Sequence, residues 1–256
     1  MLQPHSLIWH YLWVAPNVLL LTLGFLLFRR RIYKRYPAFL TFVILGAIAQ
    51  LTIYIADVSP AIDPKTWWYL FWAGLLVEGT IKFFLIGEIF EVTFQDYHSI
   101  ARLSRILIRS VGVGLVLASA VLAGIAPQDG RFGIVSGAHL LEEAIYLVES
   151  GLLVFFFLFS AHFKLALSRP IYGIALGLAV SACVHLATWA ILTNGGLPNS
   201  QRTILDLLNM ATYHVCVLIW FYYLLVPGRV ATKSIVSVPE HSLEVWNQEL
   251  ERLLHQ

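Results

Sequence analysis

His139, Glu142, Glu143, Tyr146, Glu149 and Ser150 follow one another at offsets of three, four, seven, ten and eleven inside a single apolar run. At ~100° per residue these six side chains occupy a helical sector of roughly 120°. A stripe of that kind lines up carboxylates and an imidazole, the groups from which membrane proteins build proton relays and cation sites. Its carboxylates exceed the cations nearby, so they need protons, metal or water. The run ends in Phe155-Phe156-Phe157, so the stripe opens toward its other end. Four further groups sit in other apolar runs. Glu78 and Lys82 stand one turn apart, an i,i+4 pair with the acid first. Ser181, His185 and Thr188 share a face, as do Asp206, Asn209 and Tyr213, with His214 beside them. Gln50, Tyr54 and Asp57 complete the set.

The candidate ligand-binding or proton-relay residues are therefore Glu78, Lys82, His139, Glu142, Glu143, Tyr146 and Glu149. The candidate metal ligands are His139, His185, His214 and Glu142, because imidazole and carboxylate suit zinc and iron. His185 and His214 on facing helices would hold a haem. A metal-dependent hydrolase would use Glu142 or Glu143 as general base toward a metal-bound water. Nothing in the sequence requires zinc or haem: there is no HExxH, and no apolar run holds two histidines at i,i+4. There is also no GxSxG elbow, P-loop, CxxC or strand-borne GxGxxG. Each group has a structural reading too. Glu78–Lys82 is then an intramembrane ion pair, and His185 and His214 are hydrogen-bonded core histidines. Glu88 and Glu91 meet inner arginines, and Arg102, Arg105 and Arg109 form a snorkelling face.

The elements that carry these residues are seven apolar stretches, each close to the ~20 residues a helix needs to cross a bilayer. They are placed at 7–28, 37–56, 67–90, 106–126, 134–159, 171–193 and 204–226. Ser59-Pro60, Asp63-Pro64, Pro127-Gln128-Asp129-Gly130 and Asn194-Gly195-Gly196-Leu197-Pro198-Asn199 break the chain between them. The fold class is thus all-α, a polytopic bundle over 1–228 followed by a tail at 229–256. The first connection holds Arg29, Arg30, Arg31, Lys34 and Arg35; the third holds Arg102 and Arg105; the fifth holds Lys164 and Arg169; the tail holds Arg229, Lys233 and Arg252. The other side has Lys65, Arg131 and Arg202 alone. This asymmetry predicts an outside N-terminus and a cytoplasmic C-terminus in an inner or plasma membrane. Trp9, Trp13, Trp67, Trp68, Trp72 and Trp189 fall near the outer interface, where indole rings anchor a span. The opening Met1–His10 has no Lys or Arg, so the first stretch is expected to be retained as a span. Gly173, Gly177 and Ser181 form a small-residue row suited to close helix packing within the bundle. In the tail, Leu243, Trp246, Leu250, Leu253 and Leu254 have helical spacing among Glu244, Glu249 and Glu251. That predicts an acidic amphipathic helix, suited to a protein partner.

Composition narrows the function. Of 256 residues 59% are hydrophobic and 12% charged, against roughly 25% charged in soluble domains. Mean hydropathy is +0.75. A net charge of +2 without a basic stripe excludes a nucleic-acid partner. Cys183 and Cys216 both lie in apolar runs, so no extracytoplasmic disulfide framework exists. In helix count the layout resembles retinal proteins and seven-helix zinc hydrolases, and in nothing further. The last run has no lysine, and His214 has Leu218 where a HxxxH pair needs a second histidine. The favoured reading is a non-enzymatic protein of the lipid bilayer with an outward polar cavity, used for sensing or for proton- or cation-linked transport of a small ligand. The alternatives are an intramembrane metal or haem protein, and a structural subunit of a larger membrane complex.

Overall fold

The computed structural model describes residues 6–95, 131–162, 165, 167–193 and 198–226, and the single positions 102, 106, 110, 113, 114, 117, 245, 248 and 252. At 131–141, 193 and 199–200 the description covers the backbone alone. Among the described residues every long element is a helix: α1 (Leu7–Arg29), α2 (Pro37–Val58), α3 (Pro64–Thr93), α4 (Arg131–His162), α5 (Arg169–Thr193) and α6 (Asn199–Leu225). All six are long and apolar enough to cross a membrane. The stretch expected at 106–126 and the tail helix fall largely outside the described residues. The single positions given in them are helical and exposed.

Helix starts explain where the sequence reading placed ends too tightly. Asp63-Pro64, read as a break, opens α3. Asp63 caps it by accepting from the backbone N–H of Lys65 and Thr66, each at 3.1 Å, and Pro64 takes the first turn, where a missing N–H costs nothing. Ser6 caps α1 in the same way through Trp9 N–H at 3.3 Å. Pro37 opens α2 without a local cap, since Tyr36 supplies no side-chain acceptor. The acceptor comes from α3 instead. Glu88 takes the N–H of Ala38 at 3.0 Å and of Phe39 at 3.2 Å, satisfying orphan donors at a helix N-terminus. The expectation that Glu88 meets arginines is replaced by this cap.

Each helix packs on its neighbour in order, and α6 returns to α1, so the six close into a ring; α3 also touches α5 across it. The side-chain pairings give the directions. Gln50 meets Glu78 and Gly74 meets Ile53, so α2 and α3 are antiparallel. Gly79 meets Ile145, Lys82 meets Glu149, Phe90 meets Phe156 and Phe94 meets Phe159, so α3 and α4 run parallel. Tyr146 with His185 and Phe157 with Tyr172 make α4 and α5 antiparallel.

The two ends of the ring differ. Leu23, Phe39, Ile86, Phe156, Ile174 and Trp220, one from each helix, are fully buried, and all lie toward the end where α1 finishes and α2 begins. That end also carries the exposed Arg29, Arg30, Arg31, Lys34 and Arg35. Arg30 donates to the Leu225 carbonyl at 3.2 Å and Arg169 to the Tyr222 carbonyl at 3.4 Å. Two guanidinium groups thus serve the last-turn carbonyls and negative dipole end of α6. Gly173 and Gly177 of α5 admit Tyr223 and Trp220 of α6, where a Cβ would collide with either ring. The opposite end holds a ring cluster of Trp9, Trp13 and Tyr54, with the Tyr54 hydroxyl 2.9 Å from His10 Nδ1.

Candidate functional site

Helical spacing puts Glu78 and Lys82 on one side of α3, and Gly79 between them lets α4 come close. A Cβ at position 79 would stand 2.8 Å from Ile145 Cδ1. That approach brings Glu149 to Lys82. The ammonium lies 3.1 Å from Glu78 Oε1 and 3.2 Å from Glu149 Oε2, and 4.2 Å from the centre of the Tyr146 ring. A cation held by two carboxylates and a ring face is well matched electrostatically. The second oxygen of Glu78 accepts from Gln50 Nε2 of α2 at 3.1 Å. Glu149 differs. Its Oε1 meets no hydrogen-bond donor among the described residues, although the residue is fully buried.

One turn toward the tryptophan-bearing end, the Tyr146 ring stacks on His185 of α5 with centres 3.9 Å apart. His185 Nε2 lies 3.4 Å from Glu142 Oε1. Thr188, a turn further, places its hydroxyl 3.0 Å from Asn209 Oδ1 of α6 and 2.8 Å from the His185 carbonyl. The side chains of His185, Glu142 and Glu78 are 18%, 16% and 18% exposed, against 5% for Lys82 and 1% for Glu149. Beneath Glu149 come Leu153 and Phe156, neither with any exposed surface, and Phe90. The polar groups therefore lead in from one end and stop on an apolar floor.

No protein-family model, curated protein or solved structure matches this chain. The structure brings Glu78, Lys82, Tyr146 and Glu149 into one cluster and sets Glu142 with His185 above it. Glu143 is half-buried on the same helix. His139 falls where only the backbone is described. His214 sits apart from the Glu142–His185 pair in its contacts, its ring 5.8 Å from that of Tyr11 on α1. Among the described residues no three His, Cys, Asp or Glu side chains gather as a metal site would require. Gln50 and the Thr188–Asn209 pair were visible in sequence only as polar residues in apolar runs. Their partners come from non-consecutive positions that no spacing reveals. As arranged, the cluster can hold or release a proton, and its acidic approach favours a positive guest over a negative one.

Proposed function

We propose that the chain is a seven-span protein of a cytoplasmic-type membrane, with its N-terminus outside. Its His/Glu cavity, open to the outer side, serves sensing or the proton- or cation-linked transport of a small ligand. Two observations support the topology. The parallel course of α3 and α4 asks the chain between them to return to the starting side, and positions 95–130 are long enough for one crossing of ~20 residues. The arginines and lysine at 29–35, with Arg169, stand at one end of the ring, as cytoplasmic loops do. The observation that carries the function is the Glu78–Lys82–Glu149 cluster, with Lys82 and Glu149 buried, set between the Glu142–His185 pair on one side and the buried Phe156 on the other. Ionisable groups held so deep in a span mark substrate and ion pathways.

Thiol labelling in sealed vesicles tests this reading. Asn209, half-buried on α6 beside Thr188, becomes the only thiol in Asn209→Cys made with Cys183→Ser and Cys216→Ala. A membrane-impermeant cationic methanethiosulfonate should react from the outer side, and faster than its anionic analogue by about tenfold, the ratio that ~1.4 kcal/mol of local potential produces. Reaction from the inner side alone, or equal rates for the two reagents, would overturn the outward acidic cavity.

A further inference from the structure

We propose that Glu149 carries an exchangeable proton on Oε1, taken from and returned to water on the outer side. The proposal rests on the cavity reading and names the species that its deepest residue binds. Glu78 has both oxygens engaged, one by Lys82 at 3.1 Å and one by Gln50 at 3.1 Å, so it is held as the anion that balances Lys82. Glu149 reaches the same ammonium with Oε2 at 3.2 Å, while Oε1 has no donor among the described residues.

Among the described residues, three helices present titratable groups to Glu149. From α3 come Lys82 and Glu78. From its own helix comes Tyr146, whose ring separates the cluster from His185 on α5. From α6 come Tyr213 and Cys216, within electrostatic reach of the same ion pair. A phenol and a thiol are neutral near pH 7. Among the described residues one cation and one anion therefore cancel, and an ionised Glu149 would leave a single negative charge uncompensated. A proton on Oε1 removes it, because burial disfavours the charged form.

The route is one-sided. Leu153 and Phe156 on α4, and Ile86 and Phe90 on α3, follow Glu149 and Lys82 toward the basic end and are all buried. Outward, Glu142 lies two turns up the same helix, about 10 Å away, and pairs with His185. The step is a simple transfer. Hydronium delivers a proton to the carboxylate and leaves water; release is the reverse, and no co-reactant is needed. The consequence is mechanical. When Glu149 is ionised, Lys82 ties α3 to α4. When it is protonated, Lys82 pairs with Glu78 within α3, and the tie between the two parallel helices weakens.

Infrared difference spectroscopy on the full chain in lipid nanodiscs, stepped between about pH 9 and pH 5, reads the proton directly. Wild type should gain the carbonyl stretch of a buried carboxylic acid at the lower pH. Glu149→Gln should lose that band, and Glu142→Gln should keep it. Glu149→Asp, which keeps the carboxyl should Glu149→Gln not fold, should retain the band at a shifted frequency. A wild type with no such band, or a band unmoved in both Glu149 variants, would overturn the proposal. If the band fails while the cationic reagent still enters from outside, the cavity stands and the proton assignment alone falls. If labelling fails while the band stays intact, Glu149 keeps its proton and the outward cavity falls.

Discussion

Lys82→Met keeps most of the stem and removes the charge at the centre of the site. When Glu149 has released its proton, at an effective dielectric near 20 an ammonium 3.1–3.2 Å from a carboxylate gains about 5 kcal/mol from each. The ring of Tyr146 adds up to about 2 kcal/mol in a desolvated setting. Desolvation of the three ions offsets several kcal/mol apiece, so the intact cluster contributes little net stability. The variant is another matter, since it leaves carboxylates of 18% and 1% exposure without their counter-ion. Removing one partner of a buried pair costs about 3–5 kcal/mol. Lower pH offers relief, because protons from water can replace the ammonium. The expected loss is therefore about 4 kcal/mol near pH 8 and about 1–2 kcal/mol near pH 5. Reversible unfolding in mixed micelles of rising dodecyl sulfate content, followed by circular dichroism, gives both values. Lys82→Met with Glu149→Gln should recover about half of the loss at pH 8 and little at pH 5. A single variant within about 1 kcal/mol of wild type at both pH values would show that the ammonium does not sit between the two carboxylates.

Two other perturbations follow from the fold. Asp63 is held below the usual carboxylate range, first by the Thr66 hydroxyl and then by backbone N–H groups of Thr66 and Lys65. A lowered value means stability that is full above the unfolded range and lost as pH falls through the folded one. The melting-temperature gap between wild type and Asp63→Asn should thus be constant above about pH 5 and narrow below about pH 4; a gap that persists there would contradict the cap. Gly177→Ala drives a Cβ into Trp220, which donates to the Ile174 carbonyl at 3.3 Å and is held edge-on by Phe39 and Phe42. That should cost about 2–4 kcal/mol in the same micellar unfolding, from overpacking and a weakened hydrogen bond. Gly46→Ala, with nothing within 4 Å of its new carbon, should be neutral or gain up to about 1 kcal/mol.

Much of the site was legible because it lies within single helices. The 3.6-residue repeat alone puts Glu142, Tyr146 and Glu149 on one side of α4, and Glu78 beside Lys82 on α3. The six described helices were legible from apolar length, within a turn at either end except that α6 begins at Asn199, five residues before the expected 204. What spacing cannot give is which helices touch. Lys82 reaches Glu149 because α3 and α4 run side by side in the same direction, with Gly79 of α3 packed against Ile145 of α4. Glu88 looked like an interfacial acid seeking arginine. Its partner turned out to be the uncapped start of α2, a backbone feature that leaves no charge in the sequence to find. Asp63-Pro64 and Pro198 were read as breaks because turn residues and helix starts share the same residue types.

The division of the ring into a polar half and an apolar half also bears on sensing against transport. Phe90 and Phe156 pack at 5.3 Å, Phe94 and Phe159 at 5.3 Å, and Trp220 stands edge-on to Phe39 and Phe42 at 5.7 and 5.6 Å. These rings come from α2, α3, α4 and α6, so a passage to the basic end requires several helices to part together. A sensor requires no such opening, since a proton at Glu149 already alters the α3–α4 tie from above the floor. A transporter must spread that tie downward until Phe90 leaves Phe156. The two roles therefore separate on one residue. Phe156→Ala removes the floor without touching Lys82, Glu78 or Glu149. If the protein moves its ligand by opening the floor, that variant should leak protons across sealed vesicles. If it only senses, the other rings and the guanidinium groups that hold α6 should keep the membrane tight.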